Sequence, residues 1–402
     1  MTTTGRPVRR HRTGRVLLPS VVVALLVAAG TPALAGPVPP TAAGCPGQEQ
    51  PPGPPAVEET AAVPPLPVPD PAVGGLAVCT EAHAGATPPP PVGVASYLVA
   101  DLDSGAVLAA RAPHARQRPA STIKLLLALV VEDLLPPDRV VVGTAEDGAV
   151  DGSRAGIGPG GRYTVEQLLH GLLLASGNDA AHALARELGG EPATLAAMQD
   201  TARRLGALDT RPATPSGLDG PGMSSSAYDL ALILRAALER PRIATALLTP
   251  SIPFPGFADR PGFELGNDDR LLGTPGFLGG KNGFTDAARH TFVGATERDG
   301  RRVVVALLRG EPQPVRMADQ ATALLDWGVT APAEGIGTLV EPGSVRPESP
   351  ADPDAPADRA EGTAPVAPAG PGVPAAAVAG GVAAAVGLGA ALLAVLLRRR
   401  RS

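Results

Sequence analysis

The chain has 402 residues, including 47 prolines and 49 glycines, and its formal net charge is −5. A length of this order allows two or three domains, and the negative charge gives no indication of nucleic acid as a partner. Aromatic residues account for only 2% of the sequence, so Leu, Val and Ala must fill any core. The sequence contains no CxxC, no HExxH and no histidine pair at metal-ligand spacing, and we therefore expect neither a metal nor another cofactor.

The N-terminal residues have the pattern of a secretory signal peptide. Five arginines precede the apolar run VLLPSVVVALLVAAG, and the small-x-small sequence Ala33-Leu34-Ala35 follows it. This order of charged region, apolar region and cleavage site is typical of a signal peptide. We therefore expect residues 1–35 to direct export, with an uncleaved anchor as the alternative.

Two proline-rich stretches flank the middle of the chain. Residues 36–94 contain PPGPP, VPPLPVPDP and TPPPP, and residues 331–373 have a similar composition. Neither stretch has helical or strand periodicity, and neither has enough large apolar side chains to offset its ordering entropy. We predict extended, disordered linkers on both sides of a globular domain at 95–330. Cys45 and Cys79 lie in the first linker and could pair in an exported protein.

Within the globular region, the patterns predict strands at both ends and helices between them. Residues 95–112 are apolar on both sides of Asp103-Ser104-Gly105, which predicts a β-hairpin, and a second hairpin is predicted to turn at Asp299-Gly300. Because the first and last strands can pair in one antiparallel sheet with helices packed on it, we predict an α+β fold. The predicted helices are residues 121–135, a helix that begins at Thr164 with Gln167 in a capping box, a helix capped by Asn178 or Asp179, residues 226–238, and the closing segment ADQATALLDWGV.

The C-terminal end has the pattern of a membrane anchor. Residues 374–397 carry no charge, and the sequence RRRR follows directly. At about 1.5 Å per residue, a helix of this length can cross a hydrocarbon core of about 30 Å. The positive-inside tendency places the basic tail, residues 398–402, in the cytoplasm. We expect a transmembrane helix that tethers an exported domain to the cell membrane, with a buried helix as the alternative.

The lysines of the chain are unusually few. Of the 34 basic residues only Lys124 and Lys281 are lysines, and the others are arginines. Arginine keeps its proton in proteins, whereas a lysine that is desolvated or close to another cation can lose it. Each lysine is therefore a candidate for chemistry that arginine cannot perform, with chance as the alternative.

Ser121 precedes Lys124 by three residues in a predicted helix, and side chains at this spacing are neighbours on one helix face. Ser121 would lie in the first turn, where free backbone N–H groups can bind an oxyanion and the helix dipole favours a neutral lysine. The pair fits a serine nucleophile whose base is a lysine. S-x-x-K alone is a weak motif.

Two further motifs follow along the chain. Ser176 and Asn178 form S-x-N at a predicted break between helices, with helix capping as the alternative. The sequence K-N-G begins at Lys281, where glycine permits close backbone approach and a lysine can hold a carboxylate. The alternative here is a strand-edge lysine exposed to water. Two of the three asparagines in the chain and both of its lysines fall in the three motifs.

In this order the motifs resemble the S-x-x-K, S-x-N and K-T-G set of penicillin-binding proteins and β-lactamases. The stretches LAARAPHARQRPASTIKLL, GPGGRYTVEQLLHGLLLASGNDAAHALA, MSSSAYDLALI and LLDWG resemble the low-molecular-mass D-alanyl-D-alanine carboxypeptidases over roughly residues 95–330. The resemblance implies an antiparallel sheet flanked by helices with an inserted all-α subdomain. It also implies removal of the terminal D-Ala from peptidoglycan stem peptides, and inhibition by β-lactam antibiotics that acylate the serine.

The resemblance implies catalytic roles for four residues. Ser121 corresponds to the acylated nucleophile and Lys124 to its general base. Ser176 corresponds to a residue that passes protons, and Asn178 to one that binds the substrate amide.

The resemblance also implies a binding site for the substrate. Lys281 would bind the terminal carboxylate and tune the first lysine, and Arg316 is a further candidate for the carboxylate. The backbone N–H of Phe284 would be the second oxyanion donor. Asn282 stands where the family has threonine, but an amide donates to a carboxylate as a hydroxyl does, so we expect binding to survive. Trp327-Gly328 is soon followed by the linker, which leaves no room for the β-rich domain of many relatives.

Three functions are compatible with parts of this pattern. The leading hypothesis is an exported, membrane-tethered serine DD-carboxypeptidase. A class A-like β-lactamase needs a glutamate in E-x-x-x-N after the second motif, but Phe263 and Leu278 occupy the positions four residues before Asn267 and Asn282. A catalytically inactive peptidoglycan-binding scaffold is the third, and loss of Ser121 or of either lysine would have favoured it.

Overall fold

The computed structural model describes residues 45–53 and 55–345. The predicted signal peptide at 1–35, the predicted transmembrane helix at 374–397 and the basic tail lie outside these residues. Within the described part, no helix is both long enough and apolar enough to cross a bilayer.

One antiparallel sheet forms the centre of the described chain. The described strands are β1 (Glu81–His83), β2 (Val94–Asp101), β3 (Ala106–Arg111), β4 (Val140–Val142), β5 (Arg162–Thr164), β6 (Ser251–Phe254), β7 (Phe263–Gly266), β8 (Phe277–Thr285), β9 (Arg289–Arg298), β10 (Arg301–Gly310) and β11 (Gly337–Thr338). The main sheet has the order β1-β3-β2-β10-β9-β8, and β11 also pairs with β3. The predicted pairing of the first and last strands is confirmed, since Val99 of β2 lies opposite Val305 of β10. Both predicted hairpins are present, β2–β3 and β9–β10.

Helices cover both faces of the sheet, as the predicted α+β layout requires. The described α-helices are α1 (Lys124–Leu134), α2 (Ala145–Ala149), α3 (Val165–Leu174), α4 (Asn178–Glu187), α5 (Glu191–Leu205), α6 (Ala227–Leu238), α7 (Pro241–Leu248) and α8 (Met317–Thr330). Side chains alternate along β2, so that Leu98 and Ala100 join a large core with α1, α3 and α6, whereas Tyr97 and Val99 join a smaller core under α8.

The insertion between β3 and β8 is mostly helical. It also contains two short ribbons, β4–β5 and β6–β7, so the prediction of an all-α subdomain is too simple. The capping box of α3 is confirmed, because Thr164 and Gln167 each accept a backbone N–H from the other. The predicted cap of α4 is wrong. Gly177 is its N-cap residue, while the side chains of Asn178 and Asp179 make tertiary hydrogen bonds instead.

The proline-rich segment before the globular region folds onto it, so the prediction of an extended linker at 36–94 is wrong for the described part. We call residues 45–53 and 55–79 the strap. A disulfide joins Cys45 to Cys79, as the sequence suggested, and β1 follows and pairs with β3. The strap shows no periodicity because its backbone carbonyls, rather than an apolar face, contact the domain, notably at Arg116.

The segment after α8 also belongs to the domain, so the linker predicted at 331–373 begins too early. β11 pairs with β3, Leu339 is buried, and the hydroxyl of Tyr228 accepts the backbone N–H of Val340. Together β1 and β11 cover the outer edge of β3, whose N–H and C=O groups would otherwise lack partners. The described domain therefore includes both flanks of the predicted 95–330 region.

Candidate active site

A short 3-10 turn that continues into α1 presents Ser121. The turn spans Ala120–Ile123. Ala120 has a φ of +49°, a left-handed conformation that costs a non-glycine residue roughly 1–2 kcal/mol. A Cβ at Gly217 would lie 2.1 Å from the carbonyl oxygen of Ala120, so only glycine allows these two loops to meet. Because strained backbone persists only where its surroundings fix it, tertiary contacts impose the orientation of Ser121.

Lys124 lies one helical turn after Ser121 and is completely buried. Its Nζ is 2.9 Å from Ser121 Oγ, 2.7 Å from Asn178 Oδ1 and 2.5 Å from the carbonyl oxygen of Ser216. A neutral amine has two N–H groups and one lone pair. Since the amide and carbonyl oxygens can only accept, they take the two N–H groups, and the lone pair then faces the Ser121 hydroxyl. This is the geometry of a proton acceptor for Ser121.

Burial also sets the charge of Lys124. Desolvation lowers the pKa of Lys124 well below its usual range, and the nearby charge of Lys281 lowers it further. Asp268 and Asp179 act in the opposite direction but more weakly. The neutral form that a general base needs is therefore populated at a lower pH than for an exposed lysine.

The second motif lies at the break between α3 and α4. Ser176 has a φ of +54° and lines the same cleft as Ser121. Asn178 accepts from Lys124 through Oδ1 and donates through Nδ2 to the carbonyl of Asp151 at 2.7 Å. Asn178 therefore orients Lys124, a contact that the sequence did not predict. Within the described residues the Ser176 hydroxyl makes no hydrogen bond to either lysine.

The third motif lies on β8, at the edge of the sheet. Lys281 is only 1% exposed, so the alternative of a lysine exposed to water is wrong. Its ammonium donates to the side-chain and backbone oxygens of Asn282, at 2.8 and 3.1 Å. Burial lowers the pKa of Lys281, whereas the negative charges of Asp268 and Asp269 oppose that shift.

β8 passes so close to the nucleophile that only glycine fits at position 283. A Cβ on Gly283 would lie 2.7 Å from the backbone N of Ser121 and 2.5 Å from Thr291 Oγ1. Thr291 in turn donates to the carbonyl of Pro119 at 2.9 Å, which ties β9 to the same turn. Phe284, about half exposed, follows at the mouth of the cleft. The Ser121 N–H thus lies beside the stretch of β8 that holds the predicted second oxyanion donor.

These groups line one cleft of about 970 Å³, which is large enough for a short peptide. Lys124 and Lys281 lie buried behind its wall. Arg316, the residue before α8, is exposed on the cleft wall and forms no ion pair with the part of the chain described here. Of the predicted site residues, the cleft lining includes Ser121, Ser176, Asn178, Asn282 and Phe284.

Two carboxylates that the sequence did not predict, Asp268 and Asp269, also line this cleft. Asp269 is 8% exposed, and its Oδ2 has no hydrogen-bond partner among the described residues. A Cβ on Gly280 would lie 2.9 Å from that oxygen, which places the carboxylate next to the strand that carries Lys281. Asn267 fixes the loop by donating to two carbonyls and accepting from the Asp269 N–H. The rarity of asparagine, with Asn267 one of only three in the sequence, is a signal that could have drawn attention to this loop, although no prediction was based on it.

Outside the cleft, one buried cluster has side chains of the types that bind metals. His114, Asp209 and Asp229 place ligand atoms within 4.8 Å of one another. These groups already have protein partners, since His114 bonds to Asp209 and to the carbonyl of Val73, and Asp209 also pairs with Arg116. The chemistry of the set therefore fits a structural polar network better than a metal site.

Residues 83–311 match the model of the peptidase S11 family, which is described as D-alanyl-D-alanine carboxypeptidase. Over 263 residues the chain is 48% identical to D-alanyl-D-alanine carboxypeptidase DacB2 of Mycobacterium tuberculosis, and the match covers 64% of this chain and 89% of that protein. Over 267 residues it is 33% identical to D-alanyl-D-alanine carboxypeptidase DacD of Salmonella typhimurium, covering 63% and 67%.

Solved structures show the same relationship. A D-alanyl-D-alanine carboxypeptidase from Mycobacterium tuberculosis H37Rv is 46% identical with a TM-score of 0.61, and the match covers 64% of this chain and 98% of that one. The Streptomyces K15 DD-transpeptidase is 26% identical with a TM-score of 0.58, covering 61% and 100%. The similarity thus extends over almost the whole of these shorter chains.

Proposed function

Because the chain belongs to the D-alanyl-D-alanine carboxypeptidase family, and is therefore a serine-type hydrolase, we propose that it removes the terminal D-Ala of peptidoglycan stem peptides through an acyl-enzyme on Ser121. One observation carries the assignment of the nucleophile and its base. Lys124 Nζ lies 2.9 Å from Ser121 Oγ, while its other two partners are oxygens that can only accept.

In the first step Ser121 Oγ attacks the carbonyl carbon of the penultimate D-Ala, and Lys124 accepts the hydroxyl proton. The backbone N–H groups of Ser121 and Phe284 stabilise the oxyanion. The C–N bond then breaks, and the terminal D-Ala leaves as an amine that carries the proton taken up by Lys124. We assign the transfer of this proton to Ser176, which lines the same cleft and would have to contact Lys124 or the leaving nitrogen once substrate is bound. Water finally hydrolyses the ester, which regenerates Ser121 and releases the shortened peptide.

A carboxypeptidase must also recognise the free carboxylate at the end of its substrate. We assign this role to the ammonium of Lys281 and the amide of Asn282, with the exposed guanidinium of Arg316 on the same cleft wall. Asp268 and Asp269 support the assignment because their charges oppose the lowering of the Lys281 pKa by burial and so favour the protonated lysine.

Labelling with a fluorescent penicillin tests the acyl-enzyme. We expect one adduct per chain by intact mass, and peptide mapping should place it on Ser121. Ser121→Ala should remove the label, since no other hydroxyl lies within hydrogen-bonding distance of Lys124 in the described structure. Label on any other residue would contradict the assignment.

The lifetime of the adduct separates this function from that of a β-lactamase. Because the sequence offers no glutamate in an E-x-x-x-N pattern to activate the deacylating water, the penicilloyl-enzyme should persist far longer than seconds. Turnover of penicillin within seconds would favour the β-lactamase instead.

We propose that the enzyme is exported and held at the cell membrane with its catalytic domain outside. The charged and apolar order of residues 1–35 and the uncharged run at 374–397 before four arginines support this. Removal of residues 374–402 should release a soluble enzyme that penicillin still labels. On intact cells the catalytic domain should be accessible to added protease, and a protected domain would contradict the topology.

A further inference from the structure

The loop that leads to the nucleophile is held from one side by the strap. We call residues 112–119, between β3 and the turn with Ser121, the nucleophile loop. Three alternate side chains of this loop are buried, with 7%, 1% and 4% exposure for His114, Arg116 and Arg118. Each of them bonds to the strap, so this edge of the loop has little contact with water.

Arg116 makes the most of these contacts. Its side chain is 1% exposed, and a guanidinium at such a depth needs a partner for nearly every N–H. Four of its five hydrogen bonds go to backbone carbonyls of the strap. The acceptors are Gly47 for the backbone N–H at 2.7 Å, Glu49 and Leu66 for Nη1 at 2.9 and 2.7 Å, Pro67 for Nη2 at 2.7 Å, and Asp209 for Nε at 3.2 Å.

Arg118 joins the strap to a second part of the active site. Its Nε lies 2.5 Å from Glu59 of the strap and 3.9 Å from Asp219. Asp219 follows closely after Ser216, whose carbonyl accepts a hydrogen bond from Lys124. A single guanidinium therefore links the strap, the nucleophile loop and the loop that orients the general base.

The other edge of the nucleophile loop is fixed independently of the strap. Gln117 and Ser225 exchange two backbone hydrogen bonds, both of 2.8 Å. Between this anchor and Ser121 lies Ala120, whose left-handed φ must be imposed from outside. The conformation of Ala120 can therefore be held by contacts on both edges of the nucleophile loop. The strap supplies the contacts on one edge, and Ser225 supplies those on the other.

We propose that the strap positions Ser121 for acylation, and that Arg116 and Arg118 are the positioning residues through which it acts. The proposal rests on Ser121 being the nucleophile. The strap is rich in proline and supplies few large apolar side chains, and the Cys45–Cys79 disulfide closes it across a separation of 34 residues. Without that closure its carbonyls are no longer held against Arg116, and the buried guanidinium must find other partners by moving the loop.

Acylation kinetics of the full chain test the proposal. For each variant, the first-order acylation rate at saturating penicillin and the dissociation constant of the noncovalent complex should be measured below the melting temperature. This rate does not depend on the fraction of folded protein. We expect Arg118→Gln and the double variant Cys45→Ser/Cys79→Ser to lower it about 10–100-fold, because small misplacements of reacting groups have effects of that size. The dissociation constant should change by less than about threefold, since the groups that bind penicillin are intact.

Arg211→Gln is the matched control. Arg211 also donates to the strap, to the carbonyl of Pro64 at 2.8 Å, but it lies outside the nucleophile loop. This variant should acylate at the rate of the unmodified chain. Arg118→Lys, which keeps a donor for Glu59, should recover part of the rate lost in Arg118→Gln, whereas a purely structural contact would change only the melting temperature.

Combining Arg118→Gln with the double cysteine variant tests whether the strap acts on Ser121 through Arg118. If the strap acts through Arg118, adding Arg118→Gln to the double cysteine variant should lower the rate by much less than the product of the separate losses. A cysteine-free variant that acylates at the normal rate, or a combined loss equal to that product, would overturn the proposal. Failure of penicillin to label Ser121 in the unmodified chain would instead contradict the proposed function.

Discussion

Replacing Lys124 with arginine should lower the rate at which penicillin acylates Ser121 by about 10²–10⁴-fold, the range typical of losing a general base. Arginine keeps the positive charge but does not give up its proton. The lone pair that a neutral lysine directs at Ser121 is then absent. The planar guanidinium is also too wide for the site between Asn178 and Ser216, which accept the two lysine N–H groups.

The pH dependence of acylation provides a second readout of the same residue. In the unmodified chain the rate should rise with pH as Lys124 loses its proton and should level off once the neutral form predominates. Because burial and the charge of Lys281 lower the pKa of Lys124 well below its usual range, the plateau should begin at a lower pH than for an ordinary lysine. In Lys124→Arg this rise should disappear.

Lys281→Arg is the matched control, because it changes the other lysine in the same way. Here the charge that holds the carboxylate is retained, so part of the activity should remain, with the loss mainly in substrate affinity. Rapid-mixing measurements of the acylation rates of both variants test whether Lys124 is the general base and Lys281 the cation that binds the carboxylate. A normal rate in Lys124→Arg would show that another group is the base.

Gly283→Ala should lower the acylation rate about 10²-fold. The added Cβ would lie 2.7 Å from the backbone N of Ser121 and 2.5 Å from Thr291 Oγ1, and carbon atoms do not approach that closely. β8 or the nucleophile turn must therefore move, and a shift of about 1 Å between reacting groups can cost a factor of this size. The loss should appear in the acylation step as well as in carboxylate binding, because β8 also carries Lys281.

A second glycine provides the control for this substitution. Gly266 ends β7 and does not have a left-handed φ, and a Cβ added there would meet no neighbouring atom within 4 Å. Gly266→Ala should therefore acylate at the normal rate. If Gly283→Ala acylates within about threefold of the unmodified chain, β8 does not approach Ser121 as closely as the structure shows.

Local patterns predicted much of the fold and the first motif. The hairpins, the capping box at Thr164 and the face shared by Ser121 and Lys124 depend on residues a few positions apart, and their spacing is visible in the sequence. The strap has the composition of a linker, but its order comes from backbone carbonyls bonded to a buried arginine, Arg116. Such contacts leave no period in the sequence.

The parts of the site that the sequence did not predict come from distant segments. Asn178 orients Lys124 across 54 positions of the chain, and the carbonyl of Ser216 does so across 92. The sequence suggested that Asn178 belongs to the site, but not that it contacts the base. Asp268 and Asp269 enter the cleft because the loop after β7 returns to the sheet beside β8. The position of this loop depends on tertiary contacts, which cannot be predicted from the alternation of apolar residues.

The burial of both lysines limits which groups of the enzyme can react with an acyl-serine. An acyl-serine is an electrophile, and primary amines compete with water for it. The sequence has no lysine besides Lys124 and Lys281, which are 0% and 1% exposed. The enzyme therefore presents no side-chain amine to the acyl-serine of a neighbouring copy. Neither lysine side chain of the enzyme is therefore exposed as an amine acceptor for such an acyl group.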